Sequence, residues 1–324
     1  MNKYVGHQGQ ISGVDEVILA KGKGKGMTLL QARNGMGLEI TFSADRAMDI
    51  SRVMLKGDNL SYFSPCGYVA PSFYDNRGTG FLKSFTAGFM TTCGLTAVGS
   101  PCTDNGEELP LHGTIANTPC ENYSYSETES EIIVKAEVRD AAIFTHQLIL
   151  MREYRISKSE NKLSLCDKIK NIGSAEAPLE VLYHCNIGYP LLSENTVLDI
   201  PSMKTEPRNE HAKSELANCL KMEKPQLGYE EMCYYHTLKN GRVSAYNPDI
   251  NKRVTISFDV RELPYFVEWK MMGEHDYVLG LEPGNCLPDG RNIMREKGLL
   301  EVLKPNEEKI HHIEFNFTEG QQCL

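Results

Sequence analysis

Two segments carry residue types that can move protons. Glu180-Val-Leu-Tyr-His-Cys-Asn-Ile-Gly-Tyr-Pro190 sets His184 and Asn186 at the close of an apolar run, and Tyr277-Val-Leu-Gly-Leu-Glu-Pro-Gly-Asn285 does the same with Glu282. An imidazole titrates near neutral pH and can protonate a leaving oxygen. A carboxylate beside a buried strand needs partners or water, and partial desolvation raises its pKa toward the working range of a general base. Both segments read as strands giving way to loops, where a rigid sheet can aim polar side chains into a pocket. A third candidate is His112 in Leu109-Pro-Leu-His-Gly-Thr-Ile-Ala-Asn-Thr-Pro-Cys120, where Pro and Gly bend the chain sharply around the ring. Arg46 and Asp49 offer five fixed donors and an acceptor-only carboxylate, a set that matches the hydroxyls of a polyol. Trp269-Lys270 adds the single tryptophan of the chain, whose face can pack on an apolar ring face, and a lysine counted with the substrate-binding side chains. Each has a plainer reading: a strand histidine bonded to a carbonyl, a solvated carboxylate, a surface ion pair of little worth, a core tryptophan.

The elements that must position these residues are mainly strands. Val17–Ala20, Leu38–Phe42, Glu131–Val138, Phe144–Tyr154, Lys162–Lys170, Arg253–Phe258 and His312–Phe317 alternate apolar and polar residues or are rich in β-branched and aromatic side chains. The polar stretch 156–162 predicts a hairpin turn, and 45–54 a short turn or a continued strand. Asn209–Lys221 is the best helix candidate, and a short one. Many strands with few helices imply an all-β sandwich or large barrel. No linker or composition break divides the chain, so one domain over 1–324 is expected, with no solenoid or propeller repeat.

Composition narrows the partners. Hydrophobic residues make up 41% and charged residues 24%, enough for a sizeable core, and the net charge of −9 argues against nucleic acid. Lys21-Gly-Lys-Gly-Lys-Gly26 reads as a solvated turn. No run approaches the length of a membrane span and the start has no apolar signal core, so a cytoplasmic protein with no membrane partner is expected. Ten cysteines are scattered without a C-x-x-C pair and read as reduced, largely buried thiols. No G-x-S-x-G or H-E-x-x-H motif is present, and His311-His312 would point to opposite faces of a strand. His146 reads as a packed or surface strand histidine. Acid–base chemistry without cofactor or metal is the expectation. The alternatives are a metal site built from His112, His184 and Glu282, as in cupin-like sugar isomerases, and a carbohydrate-binding protein without catalysis.

The order of motifs resembles the aldose 1-epimerase (galactose mutarotase)-like superfamily, and within it the DUF4432 branch. The residues that carry the resemblance are Asp45-Arg-Ala-Met-Asp-Ile50, Phe85-Thr-Ala-Gly-Phe-Met-Thr-Thr-Cys-Gly-Leu95, Leu111-His-Gly-Thr-Ile-Ala-Asn-Thr-Pro119, Leu182-Tyr-His-Cys-Asn-Ile-Gly-Tyr-Pro190 and Gly280-Leu-Glu-Pro-Gly-Asn285. The resemblance implies a large galactose mutarotase-like β-sandwich with its site in the concave face of one sheet, and a small carbohydrate as ligand. It implies that His184 protonates the ring oxygen, that Glu282 takes the proton of the anomeric hydroxyl, and that His112 orients the sugar. The superfamily's arginine motif is not visible, and Arg46 stands in for it. Tyr183-His-Cys-Asn186 replaces the superfamily's usual Asn-His-Ser-Tyr-Phe pattern.

Overall fold

The computed structural model describes residues 3–320. Among them, two large antiparallel sheets face each other. A twelve-stranded sheet runs from edge to edge through Gly13–Ile18, Thr28–Arg33, Leu38–Ser43, Asp49–Leu55, Met90–Leu95, Ala177–Ile187, Tyr277–Gly284, Tyr265–Met272, Met232–Leu238 and Ser202–Pro207, with Glu301–Leu303 and Asp58–Asn59 paired off this path. An eight-stranded sheet runs Asn122–Glu127, Glu131–Ala141, Gln147–Ser157, Lys162–Asn171, Glu308–Glu319, Lys252–Phe258, Arg242–Asn247, Val197–Asp199. The expected all-β sandwich is the observed fold, and the hairpin through 156–162 joins two of the longest strands.

The sequence patterns explain which face goes where. Lys162–Asn171 buries every second residue, so Leu163, Leu165 and Ile169 enter the core while the intervening side chains face solvent. Ala177–Ile187 is buried on both faces almost throughout. Val181, Tyr183, Cys185 and Ile187 pack into the core between the sheets, and Leu182, His184 and Asn186 take the opposite face. That opposite face is covered by the loops on either side of Met90–Leu95, through Phe81, Phe85 and His112, which explains an apolar run with polar residues at every second place.

The interior also holds charge. Arg152, on the smaller sheet, spends all five guanidinium N–H groups: two on Asp167 (2.8 and 2.7 Å), and one each on Asp49 (2.8 Å), the Ala47 carbonyl (2.8 Å) and Thr92 Oγ1 (2.7 Å). Asp49 and Thr92 belong to the larger sheet, so the cluster ties the two layers together. Tyr183 donates its hydroxyl to Asp167 at 2.9 Å. Asp49 is therefore an inter-sheet anchor and not a cleft residue, because its carboxylate is consumed by Arg152 and Thr92.

The expected helix over 209–221 shrinks to Glu210–Ser214, capped by Asn209 through its bond to the Ala212 N–H, and a 3-10 turn Leu216–Asn218. The 45–54 stretch resolves as a turn followed by the strand Asp49–Leu55. Of the expected strand Val17–Ala20 only Val17 and Ile18 are in a strand, at the end of Gly13–Ile18, and Leu19 and Ala20 lie beyond it. The cysteines of the described residues are all free, and Cys323 lies outside them. No helix is long and apolar enough to cross a membrane.

Candidate active site

The strands that carry His184 and Glu282 are neighbours. Leu182 pairs with Gly284 and Cys185 with Leu281, a single register that sets His184 opposite Glu282. Their side chains share the face away from the core, and His184 Nε2 lies 3.3 Å from Glu282 Oε1. Neither residue is at a strand end, as the sequence suggested; both strands continue, to Ile187 and to Gly284. The polar residues that looked like a loop mouth are a strand face covered by loops.

Gly280 makes the Glu282 position possible. A methyl group there would collide with Glu282 Oε1, so the carboxyl group leans across a backbone with no side chain. Rings hold His184 on three sides. Trp269, Phe85 and His112 lie with centroids 5.3, 5.4 and 5.6 Å from it, all edge to face. The His184 Nδ1 and Glu282 Oε1 atoms are buried and have no hydrogen-bond partner, which leaves them as the unspent polar atoms at the bottom of the cleft.

His112 arrives on a tight loop. It has φ of 58° and Gly113 follows at 70°, and the backbone bonds Gly94 N–H to His112 O and His112 N–H to Gly99 O pin the turn, each at 3.0 Å. A side chain at Gly113 would strike the Gly94 and Ala97 carbonyls. Gly99 N–H donates to His112 Nδ1 at 3.3 Å, so the ring proton sits on Nε2 and that atom is a donor.

Around these residues is a cleft of about 340 Å³, walled by Phe81, Phe85, Leu82 and Trp269, with Arg208 and Glu231 near its mouth. A wider hollow of about 840 Å³ lies on the solvent face of the eight-stranded sheet around Cys166, Phe258 and His312, but its charged side chains are largely exposed. The cleft is the place where aromatic walls and buried titratable groups coincide, as expected of a small-molecule site.

Burial sets the protonation of the pair. It lowers His184 from its ordinary value to about 4, with Asn186 pulling it back slightly, and lowers His112 to about 3, helped by His184 and Arg208. It holds Glu282 well above the usual carboxylate range; the Glu231 charge pushes the same way and Arg208 opposes it. Burial thus favours a neutral imidazole at His184 and a neutral carboxylic acid at Glu282, with one titratable proton for the pair to share. Their 3.3 Å contact is a loose one between neutral groups, not an ion pair.

Of the residues singled out in the sequence, His112, His184 and Glu282 meet in the cleft, and Trp269 forms part of its wall. Arg46 does not reach it: its guanidinium is bonded to Asn117 Oδ1 (3.0 Å) and the Val69 carbonyl (3.3 Å) and braces the covering loops from within. Lys270 points away, because neighbours on a strand alternate and Trp269 takes the cleft face; its Nζ donates to the Lys221 carbonyl at 2.7 Å. Asn186 shares the His184 face but lies outside the cleft lining; its amide donates to the His184 carbonyl at 2.8 Å. Among the described residues, no group of three or more His, Cys, Asp or Glu side chains is placed to hold a metal ion.

Two cleft residues escaped the sequence reading. Arg208 directly follows the strand Ser202–Pro207, and Glu231 directly precedes Met232–Leu238. Arg208 Nη2 donates to Ser100 Oγ (2.9 Å) and the Pro288 carbonyl (3.0 Å), which aims the guanidinium over the cleft. The signal was the one that marked His184, a charged residue beside a strand boundary, but Ser202–Pro207 is too polar to stand out and Glu231 sits among other carboxylates before Met232–Leu238.

The architecture is that of galactose mutarotase-like proteins. A protein from Klebsiella pneumoniae, assigned provisionally as an aldose 1-epimerase, superposes with a TM-score of 0.88 at 26% identity over 94% of this chain and 83% of its own. A galactose mutarotase-like protein from Clostridium acetobutylicum gives 0.71 at 16% identity over 96% and 100%. The galactose 1-epimerase from Lactobacillus acidophilus gives 0.64 at 14% over 96% and 100%. No match is found among curated proteins. The model of the DUF4432 family, described as a domain of unknown function, matches residues 24–317, and the chain belongs to that family.

Proposed function

We propose that the cleft interconverts the anomers of a cyclic aldose or aldose derivative, with Glu282 and His184 as the acid–base pair. The observation that carries this reading is the 3.3 Å approach of His184 Nε2 to Glu282 Oε1 at the base of an aromatic-walled cleft. The two oxygens of a hemiacetal are bonded to one carbon, so neighbouring acid and base groups can reach both at once. Glu282 accepts the proton of the anomeric hydroxyl while His184 gives one to the ring oxygen. The bond from the anomeric carbon to the ring oxygen breaks, and the anomeric carbon becomes an aldehyde. Rotation about the adjacent carbon–carbon bond exposes the other face. Closure returns the proton from Glu282 to the carbonyl oxygen as His184 takes one from the attacking hydroxyl. No proton is gained or lost over the cycle, which suits a pair holding one proton between them.

In this scheme the resting proton on Glu282 passes to His184 when substrate binds. The sugar hydroxyls donate hydrogen bonds that favour the ionised carboxyl group, and the Arg208 charge does the same. Trp269, Phe81 and Phe85 pack against the apolar face of the ring, and His112 Nε2–H donates to a hydroxyl. General acid and base groups each contribute about 10²- to 10⁴-fold.

The test is a panel of anomerically pure sugars followed by NMR at the anomeric proton. Acceleration of exchange by the protein, abolished in Glu282→Gln, is the expected result. Sugar binding without acceleration at any pH would replace the proposal with a non-catalytic carbohydrate-binding role.

A further inference from the structure

Glu231 takes no part in the proton transfers above, yet it stands at their edge. It directly precedes the strand Met232–Leu238, whose Cys233 pairs with Trp269 in the next strand. Cys233 of this strand lines the cleft, and Glu231, two residues earlier on the same face, lines it too. Its backbone is fixed from the other side of the connection: Asn209 Nδ2 donates to the Glu231 carbonyl at 3.2 Å, and the Arg208 N–H to the Cys233 carbonyl at 2.9 Å. The Glu231 side chain accepts the indole N–H of Trp269 at 2.7 Å. Trp269 in turn lies edge to face on His184, with centroids 5.3 Å apart. A continuous chain of contacts runs from an exposed carboxylate to the ring of the acid–base pair.

We propose that Glu231 is a positioning residue, which locks the Trp269 indole as the wall that holds His184 and sets a carboxylate at the mouth of the cleft.

The bond has the short length of a charge-assisted one. An indole hinged at two side-chain torsions would otherwise swing toward solvent, because Trp269 is only partly buried. The ionisable groups around Glu282 are His184, Cys93, Cys185, Cys233, Arg208 and Glu231. Of these, Glu231 is the anion whose charge adds to the effect of burial. Arg208 opposes it from the other end of the 208–231 connection, so the two ends of one segment set the charge balance above the pair.

The test uses the fact that Trp269 is the only tryptophan of the chain, so intrinsic emission reports this one contact. Glu231→Leu removes bond and charge; Glu231→Gln keeps an oxygen acceptor and removes the charge. In Glu231→Leu the emission should change and acrylamide quenching of Trp269 should rise roughly twofold, whereas Glu231→Gln should stay close to the parent. Unchanged emission and quenching in Glu231→Leu overturn the positioning role, with no reference to any sugar. The effect on turnover rests on the anomer-interconverting reading. There Glu231→Leu should lower kcat/KM roughly tenfold to a hundredfold through a misplaced His184. Glu231→Gln should move the apparent pKa of the pair, read from the pH profile of kcat/KM, down by roughly half a unit. An unmoved profile overturns the electrostatic part. If the parent protein turns over no sugar, the proposed function fails while the emission experiment still decides the role of Glu231.

Discussion

His184 and Glu282 face each other across adjacent antiparallel strands, 3.3 Å apart, although 97 other residues separate them along the chain. The sheet register alone brings them together. Each is pushed by burial toward its neutral form, and that has consequences that can be measured.

Replacing Glu282 by Gln should reduce anomer interconversion by about 10²- to 10⁴-fold in an NMR exchange assay. The loss should not come from unfolding. Burial holds the folded carboxyl group well above the ordinary glutamate pKa of 4.5, so its contribution to stability is full below pH 4.5 and declines as the pH rises. The amide does not titrate. Urea unfolding at pH 8 should find Glu282→Gln at least as stable as the parent; a variant unfolded at pH 8 would contradict this account.

His184 behaves in the opposite sense. Burial lowers it in the folded chain to about 4, below the ordinary histidine value of 6.5, so the unfolded chain binds a proton first. Stability is full above pH 6.5 and is lost as the pH falls toward 4. Over that window this residue accounts for roughly 3 kcal/mol. His184→Asn should remove that part of the acid sensitivity in denaturation curves at pH 7 and pH 4.5. His112, lowered to about 3, keeps its own share in both proteins.

Gly280→Ala puts a methyl group where Glu282 Oε1 now lies. The carboxyl group must then swing away from His184. Activity should fall at least roughly tenfold, since a small misplacement of a reacting group costs that much or more. The strand conformation at 280 does not require glycine, so circular dichroism should be unchanged. An alanine variant with full activity would show that the contact with Glu282 is not needed.

Arg152→Met removes the cation that joins Asp49 to Asp167 and leaves two carboxylates in the core. A loss of about 3–5 kcal/mol in chemical denaturation is expected. If Asp49 served a ligand instead, Asp49→Asn would weaken binding with little effect on stability. The structure predicts the reverse.

Much of this molecule was legible in its residues. Alternation fixed the inward and outward faces of Lys162–Asn171 and its neighbours, and the opposed directions of His311 and His312 follow from the same periodicity: His311 contacts Tyr183 in the interior and His312 contacts Glu262 outside. His184, Glu282 and His112 could be picked out because each interrupts an apolar or sharply turning context. Only the tertiary structure could separate Arg46 and Asp49 from Arg208 and Glu231. All four are charged residues in or beside turns and strand ends, and their roles depend on what lies across from them. Asp49 meets Arg152 on the facing sheet and Arg46 is tied through Nη1 to Asn117 and the Val69 carbonyl, so neither lines the cleft, while Arg208 and Glu231 open onto it. Local patterning sets which way a side chain points from its own strand. Which neighbour it then meets is set by sheet order and register, and those depend on pairings between residues far apart in the chain.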